Sequence, residues 1–224
     1  MQRRSATWKR VVVPAMAIIA AAAVLTGFAG GRGASARSGD RVENSDTAIA
    51  FRQDTRKLWE DHITWTRLAI ISLAEDRADT GPTVDRLFQN QVDIGNAIKP
   101  YYGDAAGDQM TSLLHDHIAI AAEILVAARD GNTAAAADAS ARWYANADDI
   151  AAFLSSANPQ FWPLDHMRQM MKQHLDLTLA EAQARLAGDY TADVAAYDQV
   201  HAAILDMADM LSLGVINQFP KQFR

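Results

Sequence analysis

Three histidines of the chain occupy similar sequence contexts, and an imidazole can bind a metal ion, move a proton or hold a buried hydrogen bond. They are His62, His117 and His174, in the segments H-I-T-W-T, H-I-A-I-A and H-L-D-L-T. In a helix, a residue shares its face with the residues three and four positions away. By that rule each histidine lies on an apolar stripe, so we expect all three imidazoles to point into a core.

Amide and acidic residues recur downstream of these histidines and form the second half of the candidate site. A glycine separates each histidine from its acid, which predicts a turn between two helices. Each helical hairpin is therefore expected to place one inward acid or amide opposite one inward histidine. The members are Asn90 and Asp93 in the first hairpin, Asn146 and Asp149 in the second, and Asp206 in the third.

Two interpretations of this pattern remain open, because buried polar groups must find hydrogen-bond partners. In one, the histidines, acids and amides converge on a ligand, for which a divalent metal ion is the candidate. In the other, the pairs only hold the core in register, as in a structural or interaction module of the cell envelope. The leading hypothesis is a non-enzymatic binding protein, the alternative is the structural module, and a metal-dependent enzyme is the third.

The familiar signatures of metal enzymes and of other catalysts are missing from the sequence. There is no H-E-x-x-H and no E-x-x-H, and the one D-x-x-H joins Asp198 to His201. No nucleophile motif or phosphate-binding glycine loop is present. The chain has no cysteine, which excludes disulfides and thiolate metal sites. The methionines of the segment 166–174 are interpreted as helix-core residues rather than copper ligands, since methionine commonly fills helical cores.

Several segments together resemble an uncharacterised family of small bacterial helical proteins, whose members sometimes carry an acetylglutamate kinase label. The segments are L-W-E-D-H-I-T-W-T-R, L-L-H-D-H-I-A-I-A, W-Y-A-N-A-D-D-I-A-A-F-L-S-S-A-N-P, H-L-D-L-T and the closing Q-F-P. The resemblance covers about residues 50 to 220, and it implies an all-helical bundle without an activity. His115, His166 and His201 lie outside the shared pattern. The matched positions are Trp59, His62, Trp65, Asn90, Asp93, His117, Trp143, Asn146, Asp149, His174, Tyr197 and Asp206.

The elements that must position these residues are helices. From Asp46 onward, good helix formers dominate and apolar residues recur at three- and four-residue spacing. Glycine- and proline-containing breaks divide this region into about six helices, so the sequence predicts an all-α bundle of three degenerate helical-hairpin repeats. The expected helices cover roughly 47–78, 83–98, 107–129, 133–156, 163–186 and 190–217.

The N-terminus carries the pattern of an export signal. A basic start is followed by an apolar run at 11–29 and the small-residue triplet A-S-A at 34–36. We therefore predict that residues 1–36 form a secretory signal peptide or, if uncleaved, a membrane anchor. Residues 37–46 are predicted to be a flexible linker and residues 47–219 to be the bundle domain. The protein is then secreted or held in the cell envelope, with 11–29 as the anchor in the second case.

The charge of the exported part limits the partners of the protein. Cleavage after Ala36 removes five of the 21 basic residues and none of the 27 acidic ones, so the net charge becomes 16 − 27 = −11. A strongly acidic protein repels nucleic acid and anionic membrane surfaces. We therefore expect no nucleic-acid partner, and membrane contact only through the N-terminal segment. The sequence does not specify a protein partner.

Overall fold

A computed structural model of the chain describes residues 42–224, and this part is all-helical, as the sequence predicted. The predicted signal peptide or anchor at 1–36 lies outside the described residues. Residues 42–224 contain no β-strand. They form six α-helices: α1 Asp46–Ala74, α2 Thr80–Tyr102, α3 Asp104–Arg129, α4 Thr133–Ala157, α5 Leu164–Leu186 and α6 Tyr190–Gln218.

Helix starts and turns follow local chemistry that can be read from the sequence. The side chains of Ser45, Asn132 and Asp189 each accept a hydrogen bond from a backbone N–H in the first turn of α1, α4 and α6. Such caps satisfy donors that have no partner inside the helix. Gly131 and Gly188 have φ of +73° in the turns after α3 and α5, a conformation that favours glycine.

The break between the second and third helices lies inside the predicted interval, between residues 98 and 107, but it is shorter than predicted. Helix α2 continues through Pro100 to Tyr102, and α3 begins at Asp104. Proline is tolerated here because only the last turn of α2 follows it, so few backbone hydrogen bonds depend on it. The chain instead reverses at Gly103, whose φ of +86° is left-handed.

Each helix packs against the next one along the chain, and α6 returns to α1, so the helices form a closed ring. Short connections between packed neighbours make consecutive helices antiparallel. Helix α1 also contacts α3 and α5 across the ring. These three helices carry the three histidines, and their contacts bring the histidines to the middle of the bundle.

Helices α2 and α3 approach each other closely at two glycines. A Cβ added at Gly95 would lie 2.6 Å from the carbonyl oxygen of Gly107, and one added at Gly107 would meet the Gly95 oxygen at the same distance. No larger residue fits there without moving a helix. The two backbones are therefore in direct contact, one turn along α2 from Gln91.

The last residues of the predicted linker belong to the bundle. Val42 is buried in the main hydrophobic core. Ser45 donates to the carbonyl oxygen of Phe223, and Asn217 donates to Glu43 Oε1 at 2.8 Å. The start of α1 and the end of α6 therefore lie side by side, and Val42, Glu43 and Ser45 contact the bundle.

Methionines fill the core as predicted. Met167 and Met171 are 2% and 5% exposed and belong to the main core, and Met170 packs against it half-buried. The histidines outside the repeated pattern lie elsewhere. His115 stacks on Phe88 at 4.2 Å between ring centres, and His201 contacts Glu60.

Helices α3 and α6 are long and apolar enough to cross a membrane by length and composition. Both are elements of the closed ring, and half of the most apolar window of α6 is buried within it. The same length and apolar character are shared by core helices of helical bundles. These two helices therefore do not indicate a membrane span.

Candidate functional site

His62, His117 and His174 meet in the interior, as the inward stripes predicted. The three histidines are 2%, 2% and 4% exposed, in that order. The ring centres of His62 and His174 lie 5.7 Å apart, and those of His117 and His174 lie 6.2 Å apart. All three line a cavity of about 60 Å³, which is called the histidine cavity below. Trp59 and Trp143 pack their rings against His62 and His117 at 5.7 and 5.0 Å.

His117 is held by the amide that the repeat pattern singled out. Its Nδ1 lies 2.8 Å from Asn146 Oδ1, and Asn146 Nδ2 donates to the carbonyl oxygen of Leu113 at 3.1 Å. Because the amide nitrogen already faces a carbonyl, the amide oxygen must face the ring, so Nδ1 carries the proton. The lone pair of His117 is then on Nε2, the nitrogen that can accept a hydrogen bond or bind a metal ion.

His62 is held more weakly, by a residue that the sequence pattern did not identify. Its Nδ1 lies 3.3 Å from Gln91 Nε2. The same amide nitrogen lies 2.9 Å from the Leu87 carbonyl oxygen and 3.2 Å from Asn90 Oδ1. An amide nitrogen has two hydrogens and cannot serve three acceptors fully. The contact with His62 is the longest of the three, so the proton position on this ring is weakly constrained.

His174 has no hydrogen-bond partner at either ring nitrogen within residues 42–224. Its Nδ1 is fully enclosed and unpaired. The Nε2 atoms of His62 and His117 likewise make no hydrogen bond with any described residue. A buried polar nitrogen without a partner costs roughly 1–3 kcal/mol. The cavity is thus lined by imidazole nitrogens whose hydrogen-bonding capacity the described protein does not use.

Burial keeps the three imidazoles neutral at physiological pH. Desolvation lowers the pKa of His62 to about 3, with a smaller contribution from the proximity of His117. Desolvation also lowers the pKa of His117 to about 4, against the hydrogen bond to Asn146, which raises it. The pKa of His174 is lowered well below its usual value by burial and by the two other histidines. Neutral imidazole is the form that binds metal ions.

The predicted pairing of His117 with Asn146 or Asp149 is met by Asn146, whereas His62 bonds neither Asn90 nor Asp93 and His174 does not bond Asp206. Asp93 is half-buried and accepts from Gln89 at 3.1 Å, while Asp149 and Asp206 are exposed. On α2 and α4, Asn90 and Asn146 point inward together with Ile94 and Ile150. The acid three residues after each asparagine is therefore turned toward the rim. Burial in an apolar core also disfavours an unpaired carboxylate, whereas a neutral amide costs less there.

Asn90 does not contact His62 but plays the same role as Asn146 toward the backbone. Its Nδ2 donates to the carbonyl oxygen of Leu58 at 3.0 Å, and Asn146 Nδ2 donates to that of Leu113. Leu58 and Leu113 each precede the histidine of their helix by four residues. In the third hairpin Ala203 takes the place of the asparagine, which explains why His174 has no equivalent partner.

The distances between the histidine rings are slightly longer than those in a shared metal site. Within residues 42–224, no group of three or more His, Asp or Glu side chains is arranged to hold a metal ion. Two imidazoles on one tetrahedral zinc ion have ring centres roughly 5 Å apart, since each nitrogen lies about 2 Å from the ion. The observed separations of 5.7 and 6.2 Å exceed that spacing by about an ångström.

A second polar group in the interior was not found by sequence reasoning. Arg67 Nη1 donates to Glu181 Oε1 at 2.7 Å and to Asp193 Oδ1 at 2.8 Å, and Arg185 Nη1 reaches Asp193 Oδ2 at 3.4 Å. These four residues are called the charge cluster below. Burial is the largest effect on Glu181 and raises its pKa to about 7, although Arg67 opposes the shift. Arg67 follows His62 by five residues, outside the helix-face spacing on which the search relied.

The chain was compared with known protein families, with curated proteins and with solved structures, and none of the three comparisons finds a match. The resemblance to the family of small bacterial helical proteins therefore stays a prediction. The functional argument for this protein rests on the geometry of the histidine cavity.

Proposed function

We propose that the chain is an exported helical-bundle protein that binds one divalent transition-metal ion through His62, His117 and His174. The observation that carries this proposal is the buried His174 ring, which has no hydrogen-bond partner in residues 42–224. A side chain kept only for architecture is expected to be satisfied by its neighbours. A bound ion supplies the interaction that the neighbours of His174 do not.

The chemistry of the three ligands selects the class of metal. Neutral imidazoles suit zinc, copper, nickel and cobalt, whereas magnesium and calcium prefer oxygen ligands. No carboxylate lines the histidine cavity. Asp93, Asp149 and Asp206 are therefore left out of the proposed ligand set, and the remaining position of the ion faces the cavity.

The amides act behind the histidines rather than as ligands. Asn146 accepts the Nδ1 proton of His117 at 2.8 Å and so leaves the lone pair of the ring on Nε2. Hydrogen bonds of this kind orient metal-binding histidines and fix their tautomer. The weaker contact between Gln91 and His62 leaves that ring free to adjust. A small rotation of the His62 ring would shorten the distance between its centre and that of His174 toward the spacing that a shared ion requires.

The repeat supports the proposal from a different direction. Each hairpin contributes one histidine from its first helix, and the first two hairpins share the amide-to-carbonyl bond four residues before that histidine. A degenerate repeat of this kind would bring one imidazole from each hairpin to the same place. The second candidate function is a purely structural module of the cell envelope. It is favoured by the charge cluster, in which buried polar groups join three helices without any ligand.

The metal content of protein purified without an affinity tag tests the proposal. We expect close to one equivalent of a transition metal, or saturable binding of one added Zn²⁺ per chain. The variant His174→Leu should abolish this binding. The matched control is His115→Leu, because His115 is exposed and lies outside the cavity. Equal metal binding by both variants would contradict the proposed ligand set, and no binding by the unaltered protein would favour the structural module.

Export is tested separately. The proposal predicts that alkaline phosphatase fused after Asp46 is active, because the enzyme needs the oxidising environment outside the cytoplasm. A fusion that accumulates but remains inactive would contradict export and leave the metal site untouched.

A further inference from the structure

The histidine cavity is polar at one end and apolar along the rest of its length. On α1, α3 and α5 its lining residues fall within 62–73, 117–125 and 174–182, and each range begins at a histidine. These ranges correspond to roughly 12 to 17 Å of helix. Alternate helices of the ring point the same way, so the three histidines lie at one end and the aliphatic residues extend from them.

The unused ring nitrogens at the histidine end face the cavity. In residues 42–224, the Nε2 atoms of His62, His117 and His174 make no hydrogen bond, and His174 Nδ1 is the one histidine nitrogen that is both unpaired and fully enclosed. The three Nε2 atoms are therefore in contact with open space. For side chains that are 2–4% exposed, that space is the cavity.

A charged ligand finds no counter-charge in this cavity. Apart from the histidines, the lining consists of aliphatic residues, one tryptophan and two threonines. The hydroxyls of Thr66 and Thr178 donate to the carbonyl oxygens of His62 and His174, both at 2.8 Å. Burial lowers the pKa of all three histidines, so their rings supply no positive charge at neutral pH. A carboxylate or an ammonium group would lose its hydration there without compensation.

An uncharged hydroxyl matches the hydrogen-bonding groups at the histidine end. Because Asn146 accepts the Nδ1 proton of His117, the Nε2 atom of this ring is an acceptor. The tautomer of His62 is only weakly constrained by Gln91, and that of His174 is fixed by no described residue. Either ring can therefore present an Nε2–H donor. A hydroxyl donates one hydrogen bond and accepts others, so it serves both kinds of nitrogen at once.

We infer that the histidine cavity of the metal-free protein binds a small uncharged alcohol, with its hydroxyl on His117 Nε2 and its hydrocarbon body against the aliphatic walls. The inference does not rest on the proposed metal binding, and an ion on the same nitrogens would exclude the alcohol. The cavity of about 60 Å³ holds about four to six water molecules, or roughly as many ligand heavy atoms. Since the cavity is partly open, a longer chain extends from it into solvent.

Ligands that share a six-carbon composition but differ in their polar group test the role of the hydroxyl. Full-length protein treated with a chelator is titrated calorimetrically with 1-hexanol, its isomer 1-methoxypentane, hexanoate and hexylammonium. We expect saturable binding of one hexanol per chain, about tenfold tighter than that of the ether, which cannot donate to His117. Both ions should bind more weakly still. An ether or a hexanoate that binds as tightly as hexanol would overturn the inference.

The length of the alcohol chain tests the hydrocarbon body. From ethanol to about hexanol, the affinity should rise about fourfold for each added methylene, because each one leaves water for the apolar walls. Beyond that length the gain should level off as the chain reaches solvent. An affinity that is independent of length, or that keeps rising at the same rate to decanol, would contradict binding in a bounded cavity.

A substitution in the wall locates the body of the ligand. Ala121→Leu should weaken hexanol binding about tenfold, because the larger side chain fills the space in a closely packed interior. Ala119→Leu is the matched control, since Ala119 lies on the same helix but does not line the cavity. If Ala121→Leu does not fold, ¹⁵N NMR of the imidazoles in the unaltered protein decides instead. Hexanol should shift the Nε2 signal of His117, and an unshifted signal would overturn the inference.

Zinc separates this inference from the proposed function. Zinc binding without hexanol binding overturns the inference and leaves the metal site intact. Hexanol binding by a protein that takes up no zinc overturns the proposed function and leaves the inference intact. Where both bind, zinc should displace hexanol, and hexanol that binds equally well to the zinc-loaded protein would contradict its place on the histidines.

Discussion

The histidine cavity and the charge cluster join the same helices by opposite means. Helix α1 contributes His62 to the first and Arg67 to the second, and α5 contributes His174 and Glu181. In the cavity, the Nδ1 atom of the His174 ring is enclosed without a hydrogen-bond partner. In the cluster, Arg67 satisfies both buried carboxylates with bonds of 2.7 and 2.8 Å.

The difference is one of degree, since Arg185 Nε of the charge cluster is also enclosed without a hydrogen-bond partner among the described residues. Arg67 and Asp193 form a two-pronged pair, a geometry that gives strong and specific bonding. Asn90 and Asn146 likewise complete the hydrogen bonding of backbone carbonyls on neighbouring helices. For His174, the proposed metal ion would take the place of such a partner.

The two regions should respond to pH in opposite directions, and this is the largest expected effect. The folded-state pKa values of about 3 for His62 and about 4 for His117 lie below the usual value of 6.5. Their stabilising contribution is therefore complete above about pH 6.5 and is lost as the pH falls toward 4. In metal-free protein, urea unfolding should show a loss of several kcal/mol over this range.

Glu181 opposes that trend. Its folded-state pKa of about 7 lies above the usual 4.5, so its contribution is greatest below about pH 4.5 and is lost as the pH rises through 7. The variant Glu181→Gln should make the acid loss steeper between pH 7 and 4.5. A triple Leu variant of the three cavity histidines should flatten it. If replacing the exposed pair His115 and His166 flattened the profile as much, the buried rings would not be its source.

The second prediction removes the partner that completes the charge cluster. Arg67→Met keeps much of the side-chain volume but leaves Glu181 and Asp193 buried without their main donor. We expect a loss of roughly 3–5 kcal/mol in the free energy of unfolding. Arg142→Met is the matched control, because Arg142 pairs with Glu123 and Asp138 on the surface and should cost about 1 kcal/mol or less. Similar losses for the two variants would show that the cluster is not special.

The third prediction concerns the histidine that does have a good partner. Asn146→Ala removes the acceptor of the His117 ring and the donor to the Leu113 carbonyl. We expect a loss of roughly 1–3 kcal/mol, because two buried groups then lack partners. Asn96→Ala, at an exposed position of α2, provides the control. Chemical denaturation of the metal-free proteins measures both changes, and an unchanged stability for Asn146→Ala would contradict the bond.

The smallest expected effect on stability separates ligand binding from architecture most cleanly. His174→Leu replaces an unsatisfied ring by an apolar side chain, so metal-free protein should change by less than about 1 kcal/mol or become more stable. The same variant should lose metal binding completely. A large loss of stability without metal would mean that His174 serves the fold, and the proposed function would fail at its central observation.

The six helices and the inward direction of the three histidines were predictable from the sequence, because both depend on apolar periodicity along single helices. The partners of those histidines were less predictable. The sequence offers an acid and an amide on nearly the same face in the first two hairpins, and only packing decides that Asn146 is buried and Asp149 is exposed. A rule based on residue spacing cannot tell which of two residues three positions apart on a helix faces the core.

Gln91 and the charge cluster were missed for a related reason. Gln91 lies next to Asn90, and the comparison of the three hairpins considered only the asparagine and the acid as partners of the histidine. Arg67, Glu181 and Asp193 are ordinary surface residues by type, and only the three-helix contact makes them buried partners. The sequence also placed the end of α2 before Pro100, whereas the helix ends at Tyr102. Local sequence signals locate helix ends imprecisely.

The closed ring has a consequence for how the protein can be attached to a surface. Ser45 and Phe223 are in contact, so the start of α1 and the end of the chain share one end of the bundle. The cavity lining on α1 runs from His62 to Leu73, roughly 24 to 40 Å along the helix from Asp46. Attachment through Arg224 would therefore place a support at the opposite end of α1 from Leu73.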